Sequence, residues 1–113
     1  MSIFHNSTIT IMVYDMDKAV SFYVETLGFE LRKRYGEHYA EVDAPGLLIG
    51  LHPSDKEIVV GDNMSIGFGT KDLDATVAHL KTKGIELSIK EDGPVRIASF
   101  TDPDNNSLYA IEV

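Results

Sequence analysis

Cysteine and tryptophan are both missing from this chain of 113 residues. Without cysteine there is no disulfide framework, no thiolate metal site and no thiol nucleophile. Long apolar runs are missing too. None approaches the roughly 20 residues that a membrane-spanning helix needs, so no membrane partner is expected. Positive charge is scarce: Lys and Arg total 10 against 18 Asp and Glu, a net charge of −8. That disfavours nucleic acid, which selects basic surfaces. The same acidity keeps a protein soluble and raises the local concentration of cationic ligands. The opening MSIFHNSTIT lacks a basic stretch followed by an apolar core, so it does not read as a signal peptide, and a cytoplasmic location is the expectation. There is no Gly-rich phosphate loop and no Gly-x-Ser-x-Gly elbow.

What is present is periodic. In STITIMVY, Ile9, Ile11 and Val13 alternate with Thr8, Thr10 and Met12, which predicts a strand with two different faces. DMDKAVSFYVETLGF follows. Asp15 suits an N-cap, Asp17 complements the helix dipole, and Val20, Tyr23, Val24 and Leu27 form one apolar stripe that ends at Gly28. FELRKRYG, HYAEVDAPG and LLIGLHP read as three short strands separated by Gly and Pro turns. Residues 53–63 are polar and read as a linker, with Ile58-Val59-Val60 as a candidate extra strand.

The pattern then recurs. MSIGFGT predicts a strand. Asp72 caps a helix striped by Leu73, Val77 and Leu80 and closed by Gly84. IELSIKEDG, VRIASFTDPD and SLYAIEV predict three more strands. Asp15 and Asp72 stand 57 apart, and Gly28 and Gly84 stand 56 apart, so the chain holds an internal repeat. The fold class expected is α+β: one domain over 1–113, made of two tandem βαβββ modules at about 7–52 and about 64–113. Each helix covers one sheet face, and the other faces are free to curve around a cavity.

Three segments, DMDKAVSFYVETLGFEL (15–31), KDLDATVAHLKTKGIEL (71–87) and FTDPDNNSLY (100–109), together resemble the vicinal oxygen chelate superfamily of glyoxalases, extradiol dioxygenases, fosfomycin resistance enzymes and bleomycin resistance proteins. The last segment resembles that family's Asp-Pro-Asp-Gly-Asn turn, with Asn105 in place of Gly. Asn tolerates positive φ, so the turn is expected to survive. The resemblance implies paired βαβββ modules and usually a homodimer, with modules that pair within one chain or are exchanged between chains.

In metal-using members of that superfamily, four strand positions supply His, Gln or Glu ligands. The resemblance carries these positions onto Thr8, Gly50, Ser65 and Tyr109. Divalent ions want imidazole, thiolate, carboxylate or comparable oxygen donors. Gly has no side chain, hydroxyls are weak neutral donors, and Tyr stays protonated near neutral pH. Neither a metal nor another cofactor is therefore expected. A displaced site around His52, drawing on Glu41, His5 or His38, is the alternative. Glu37 and His38, side by side in YGEH, lie in a turn context that argues against a general-base pair.

The remaining expectation is a lined pocket for a small organic ligand. Its candidate residues are Thr10, Met12, Tyr39, Glu41, His52, Arg96, Phe100 and Tyr109. Aromatic rings beside small residues and a few charges are the usual composition of such a site. Each has a structural counterpart reading: Tyr39 and Phe100 as core, Glu41 with Arg96 as an ion pair, and Gly67 and Gly69 as sites of close packing. The resemblance points to metal-free binding proteins of the bleomycin resistance type, which sequester an aromatic, cationic drug. The alternatives are a glyoxalase- or dioxygenase-like metalloenzyme with displaced ligands, and a closed-pocket association protein.

Overall fold

The computed structural model describes residues 8–60 and 64–113. His5 and linker residues 61–63 lie outside the described residues. Contacts divide the chain into two compact units that meet in sequence between Val59 and Val60.

The first unit runs β1 (Thr8–Val13), α1 (Met16–Val20) with a π-helical continuation (Ser21–Thr26), β2 (Glu30–Tyr35), β3 (Tyr39–Ala44) and β4 (Leu47–Pro53). Its sheet has the order β1-β4-β3-β2. β1 is parallel to β4, and the other pairs are antiparallel. The second unit repeats this with β5 (Ile66–Thr70), α2 (Leu73–Thr82), β6 (Ser88–Asp92), β7 (Val95–Thr101) and β8 (Ser107–Glu112). Its order is β5-β8-β7-β6, with β5 parallel to β8. The α+β class and the two-module βαβββ architecture are thus those expected. Residues 58–60 form no strand.

Both caps form as expected. The Asp15 carboxylate accepts from the Lys18 N–H, and that of Asp72 accepts from the Ala75 N–H. α1 departs from a regular 3.6-residue stripe. Its second half widens into a π-helix, in which the Leu27 N–H donates to the Phe22 carbonyl five residues back. The wider turn brings Phe22 and Tyr23, adjacent in sequence, into the interior together. Their rings meet edge to face at 5.2 Å. Val24 and Leu27, which a regular stripe would bury, are only half-buried.

In each unit the helix covers one sheet face. α1 lies on β3 and β4 over buried Ile11, Val13, Ala40, Val42, Ile49 and Leu51. α2 lies on β7 and β8, and Leu73 and Val77 pack with Ala98 and Ala110. The opposite faces have no helix of their own unit. They carry exposed Thr8, Thr10, Met12 and His52 in the first sheet, and Gly67 and Gly69 in the second.

The closing turn is organised by Asp102, which is 3% exposed. Its Oδ1 accepts from the N–H groups of Asp104 and Asn106, and its Oδ2 from the Asn106 side-chain amide. Asn105 sits at φ 65°. The left-handed conformation that usually selects Gly is thus taken by the residue best able to replace it.

Candidate functional site

Strand register places the expected site residues on definite faces. In the first sheet, Thr10 pairs with Gly50 and Gly50 with Glu41, so these three form one row across the helix-free face. One row along, Met12 pairs with His52, and Tyr39 pairs with Tyr35. Thr10, Met12, Tyr39, Glu41 and His52 therefore all belong to this face. Ala40 and Val42, the alternating set on β3, lie under α1 and are fully buried.

Glu41 is the buried charge of this face, at 8% exposure. The Tyr39 hydroxyl donates to its Oε2 at 3.0 Å. Burial pushes the Tyr39 hydroxyl pKa up, and the hydrogen bond and negative charge of Glu41 push it further. The Tyr39 ring reaches over Gly50. A Cβ built there would stand 2.7 Å from Tyr39 Oη and 3.0 Å from Cε1. Gly50 is thus required by its neighbour's ring, a concrete case of a strand glycine explained by close approach. His52 is exposed, with Nδ1 2.8 Å from the Pro53 carbonyl oxygen.

In the second sheet, Gly67 pairs with Tyr109 and Tyr109 with Ser99, one row of the helix-free face. Gly69, Ile111 and Ile97 form the next row. A pocket of about 470 Å³ opens here, lined by Tyr109, Ile97, Ser99, Thr101, Ser65 and Lys90, and bordered by Phe100 and Leu108. Its volume is within the roughly 300–1,000 Å³ of small-molecule sites.

Two expectations about β7 differ from the structure. By register Arg96 and Phe100 share the helix-side parity of Ala98, although Phe100 still borders the pocket. Phe100 pairs with Leu108, and both are buried. Arg96 donates through Nη2 to Asp74 on α2 at 3.0 Å and through Nε to Glu91 at 3.1 Å. The Asp74 bond is the main cause of its guanidinium pKa being raised. The structural partners of Glu41 and Arg96 are therefore Tyr39 for one, and Asp74 and Glu91 for the other. The physical reason is phase: β7 shows small and apolar residues at both parities, and one step of register exchanges the faces. Ile97, Ser99 and Thr101 are the open-face residues that were missed. The repeat held the signal, because Ser99 pairs with Tyr109 as Glu41 pairs with Gly50.

The four positions onto which the sequence resemblance carries metal ligands hold hydroxyls, a phenol and a glycine. Thr8 is an exposed hydroxyl paired with Leu48, Gly50 lies beneath the Tyr39 ring, Ser65 is a second hydroxyl, and Tyr109 bends over Gly67. None offers imidazole or carboxylate. Among the described residues, no three His, Asp or Glu side chains gather in a way that could hold a metal.

The sequence matches the family model of the Glyoxalase/Bleomycin resistance protein/Dioxygenase superfamily over residues 6–109. The chain belongs to that superfamily. Among superfamily relatives, an uncharacterised protein of Mycolicibacterium smegmatis is 32% identical over 101 residues, which is 83% of this chain and 81% of that protein. A probable chloroplastic lactoylglutathione lyase of Arabidopsis thaliana is 32% identical over 120 residues, 88% of this chain. This chain spans only 33% of the plant protein's length. Among solved structures, TnmS3, an antibiotic binding protein from Streptomyces sp. CB03234, superposes with a TM-score of 0.76 at 30% identity, covering 99% of this chain and 98% of that one. The fosfomycin resistance protein FosX of Listeria monocytogenes has a TM-score of 0.79 at 21% identity, covering 99% of this chain and 93% of that one, and attests the shared fold alone. No helix among the described residues is long and apolar enough to cross a membrane.

Proposed function

We propose that this superfamily member binds a small organic ligand, aromatic and cationic, on a helix-free sheet face, and sequesters it without a metal and without transforming it. The observation that carries the reading is a pocket of ligand size lined by Tyr109, one of the four positions, with Thr8, Gly50 and Ser65, onto which the resemblance carries metal ligands. Within the second unit Tyr109 and Ile97 supply ring and aliphatic surface, and within the first unit Tyr39 and Tyr35 offer a ring surface of their own. The net charge of −8 favours cations at long range. The similarity to an antibiotic binding protein at 30% identity supports binding over catalysis. The functional form under this reading is a homodimer, testable by sedimentation.

A thermal-shift screen of planar aromatic cations tests the reading. A true ligand at about a hundred times its Kd stabilises by about 2.7 kcal/mol, a rise in Tm on the order of 10 °C. If no member of a broad aromatic and cationic library raises the Tm, the proposal fails.

A second reading has one observation in its favour, the similarity to a probable lactoylglutathione lyase. It requires a displaced metal site. Elemental analysis of protein purified without chelator decides it: stoichiometric metal that disappears in His52→Ala would establish a metalloenzyme.

A further inference from the structure

Glu41 presents an unusual balance of burial and charge. It is 8% exposed, and Tyr39 Oη is the donor to its carboxylate. The ion pairs of Arg34 with Asp17, and of Arg96 with Asp74 and Glu91, do not involve Glu41. Lys33, its register partner on β2, is exposed. A buried carboxylate with one neutral donor is expensive, because a charge in a low-dielectric setting needs a counter-charge or several donors. The residue lies on the helix-free face, in the row Thr10–Gly50–Glu41. Beside it runs the row of Met12 with His52 and Tyr39 with Tyr35, of which Met12, His52 and Tyr35 are exposed. The face therefore offers an anionic floor next to an aromatic wall.

We propose that Glu41 is the anchor for the positive charge of the ligand: a protonated nitrogen with N–H donors, attached to a planar ring system that lies along Tyr39 and Tyr35. This rests on the binding reading above and names the group that selects the ligand class. The free lone pairs of the carboxylate accept charge-assisted hydrogen bonds from the ligand nitrogen, while Tyr39 Oη holds the other oxygen in place. The ring system gains from contact with the two tyrosines, and its charge from proximity to their faces. An uncharged ligand of the same outline gains the ring contacts but leaves the carboxylate uncompensated, so selectivity for cations follows from desolvation as well as attraction.

The test uses two dyes of one ring outline: 9-aminoacridine, protonated at neutral pH, and acridine, neutral under mildly alkaline buffer. Binding is followed by dye fluorescence. Glu41→Gln keeps the shape and an acceptor for Tyr39 while removing the charge, and exposed Glu86→Gln removes the same charge elsewhere. The expected result is that Glu41→Gln weakens 9-aminoacridine about tenfold or more, leaves acridine bound at least as tightly as by the parent, and that Glu86→Gln alters neither. If 9-aminoacridine binds Glu41→Gln and the parent equally, the anchor is disproved while the binding reading stands. If the parent binds neither dye nor any compound of the thermal-shift library, the binding reading itself fails. Should Glu41→Gln not fold, Glu41→Asp decides: it withdraws the carboxylate by one methylene, so 9-aminoacridine weakens about threefold or more while acridine does not. Equal binding of 9-aminoacridine by Glu41→Asp and the parent would overturn the proposal.

Discussion

The phenol end of Tyr109 lies over the Cα of Gly67, its register partner across the parallel β5–β8 pair, so closely that a Cβ on Gly67 would stand 2.5 Å from the Tyr109 hydroxyl oxygen. The glycine and the tyrosine thus form one unit, and the ring occupies space that any other residue at position 67 would claim.

That unit predicts a sign reversal. Gly67→Ala should cost about 1 kcal/mol in the parent, because the ring must swing away. In a Tyr109→Ala background the same change should stabilise by about 0.5–1 kcal/mol, since alanine suits a strand better than glycine. Denaturant unfolding of the four proteins measures the coupling, and additive effects would refute the contact.

Tyr39 carries an alkaline signature. Its hydroxyl pKa is raised by burial and by Glu41, so the folded state holds that proton more tightly than the unfolded chain. The associated stability is complete below the ordinary tyrosine pKa of about 10 and is lost as pH rises through the higher folded value. Urea midpoints across that alkaline window should fall more steeply for the parent than for Tyr39→Phe. Parallel curves would mean that the hydroxyl is not tied to Glu41.

Gly50→Ala should act through the same hydroxyl. The new methyl group would stand 2.7 Å from Tyr39 Oη and push it away from Glu41. Spectrophotometric titration should then show the Tyr39 pKa moving back down toward the ordinary value, and an unchanged titration would rule out the displacement.

Asp102 should be the most sensitive residue of the closing turn. It is 3% exposed and accepts three hydrogen bonds from Asp104 and Asn106. Asp102→Ala is expected to cost about 2–4 kcal/mol in chemical denaturation. A loss below about 0.5 kcal/mol would show that water replaces these bonds without penalty.

Asn105 offers the opposite case. At φ 65° it occupies a region where glycine has no steric cost. Asn105→Gly should stabilise by a few tenths to about 1 kcal/mol, and Asn105→Val should destabilise, because a β-branched residue tolerates this φ poorly. Both are read from thermal melts, and a destabilising glycine would indicate that the Asn side chain contributes more than its backbone conformation costs.

The legible parts of the sequence were those governed by local chemistry. Asp15 and Asp72 announced two helix starts because a carboxylate one residue ahead of an apolar stripe has unsatisfied N–H groups to cap. Alternation in β1 correctly separated Ile11 and Val13 from Thr10 and Met12, since side chains of successive strand residues point to opposite faces. The repeat announced two βαβββ units, and two such sheets form. The π-helical turn was not legible, because it replaces one hydrogen-bond spacing with another without a distinctive residue. β7 was assigned the wrong phase, because Val95 to Thr101 alternates between two sets that are both acceptable in a core.

By itself the sequence determined the α+β repeat with its caps and turns. These follow from residue chemistry and short-range periodicity. Only the tertiary structure decided that Arg96 turns to Asp74 on the helix side, that Ser99 and Ile97 lie beside Tyr109, and that Gly50 and Gly67 are small because tyrosine rings lie over them. Those facts depend on register between strands far apart in sequence, where a shift of one residue exchanges buried and open faces at no local cost.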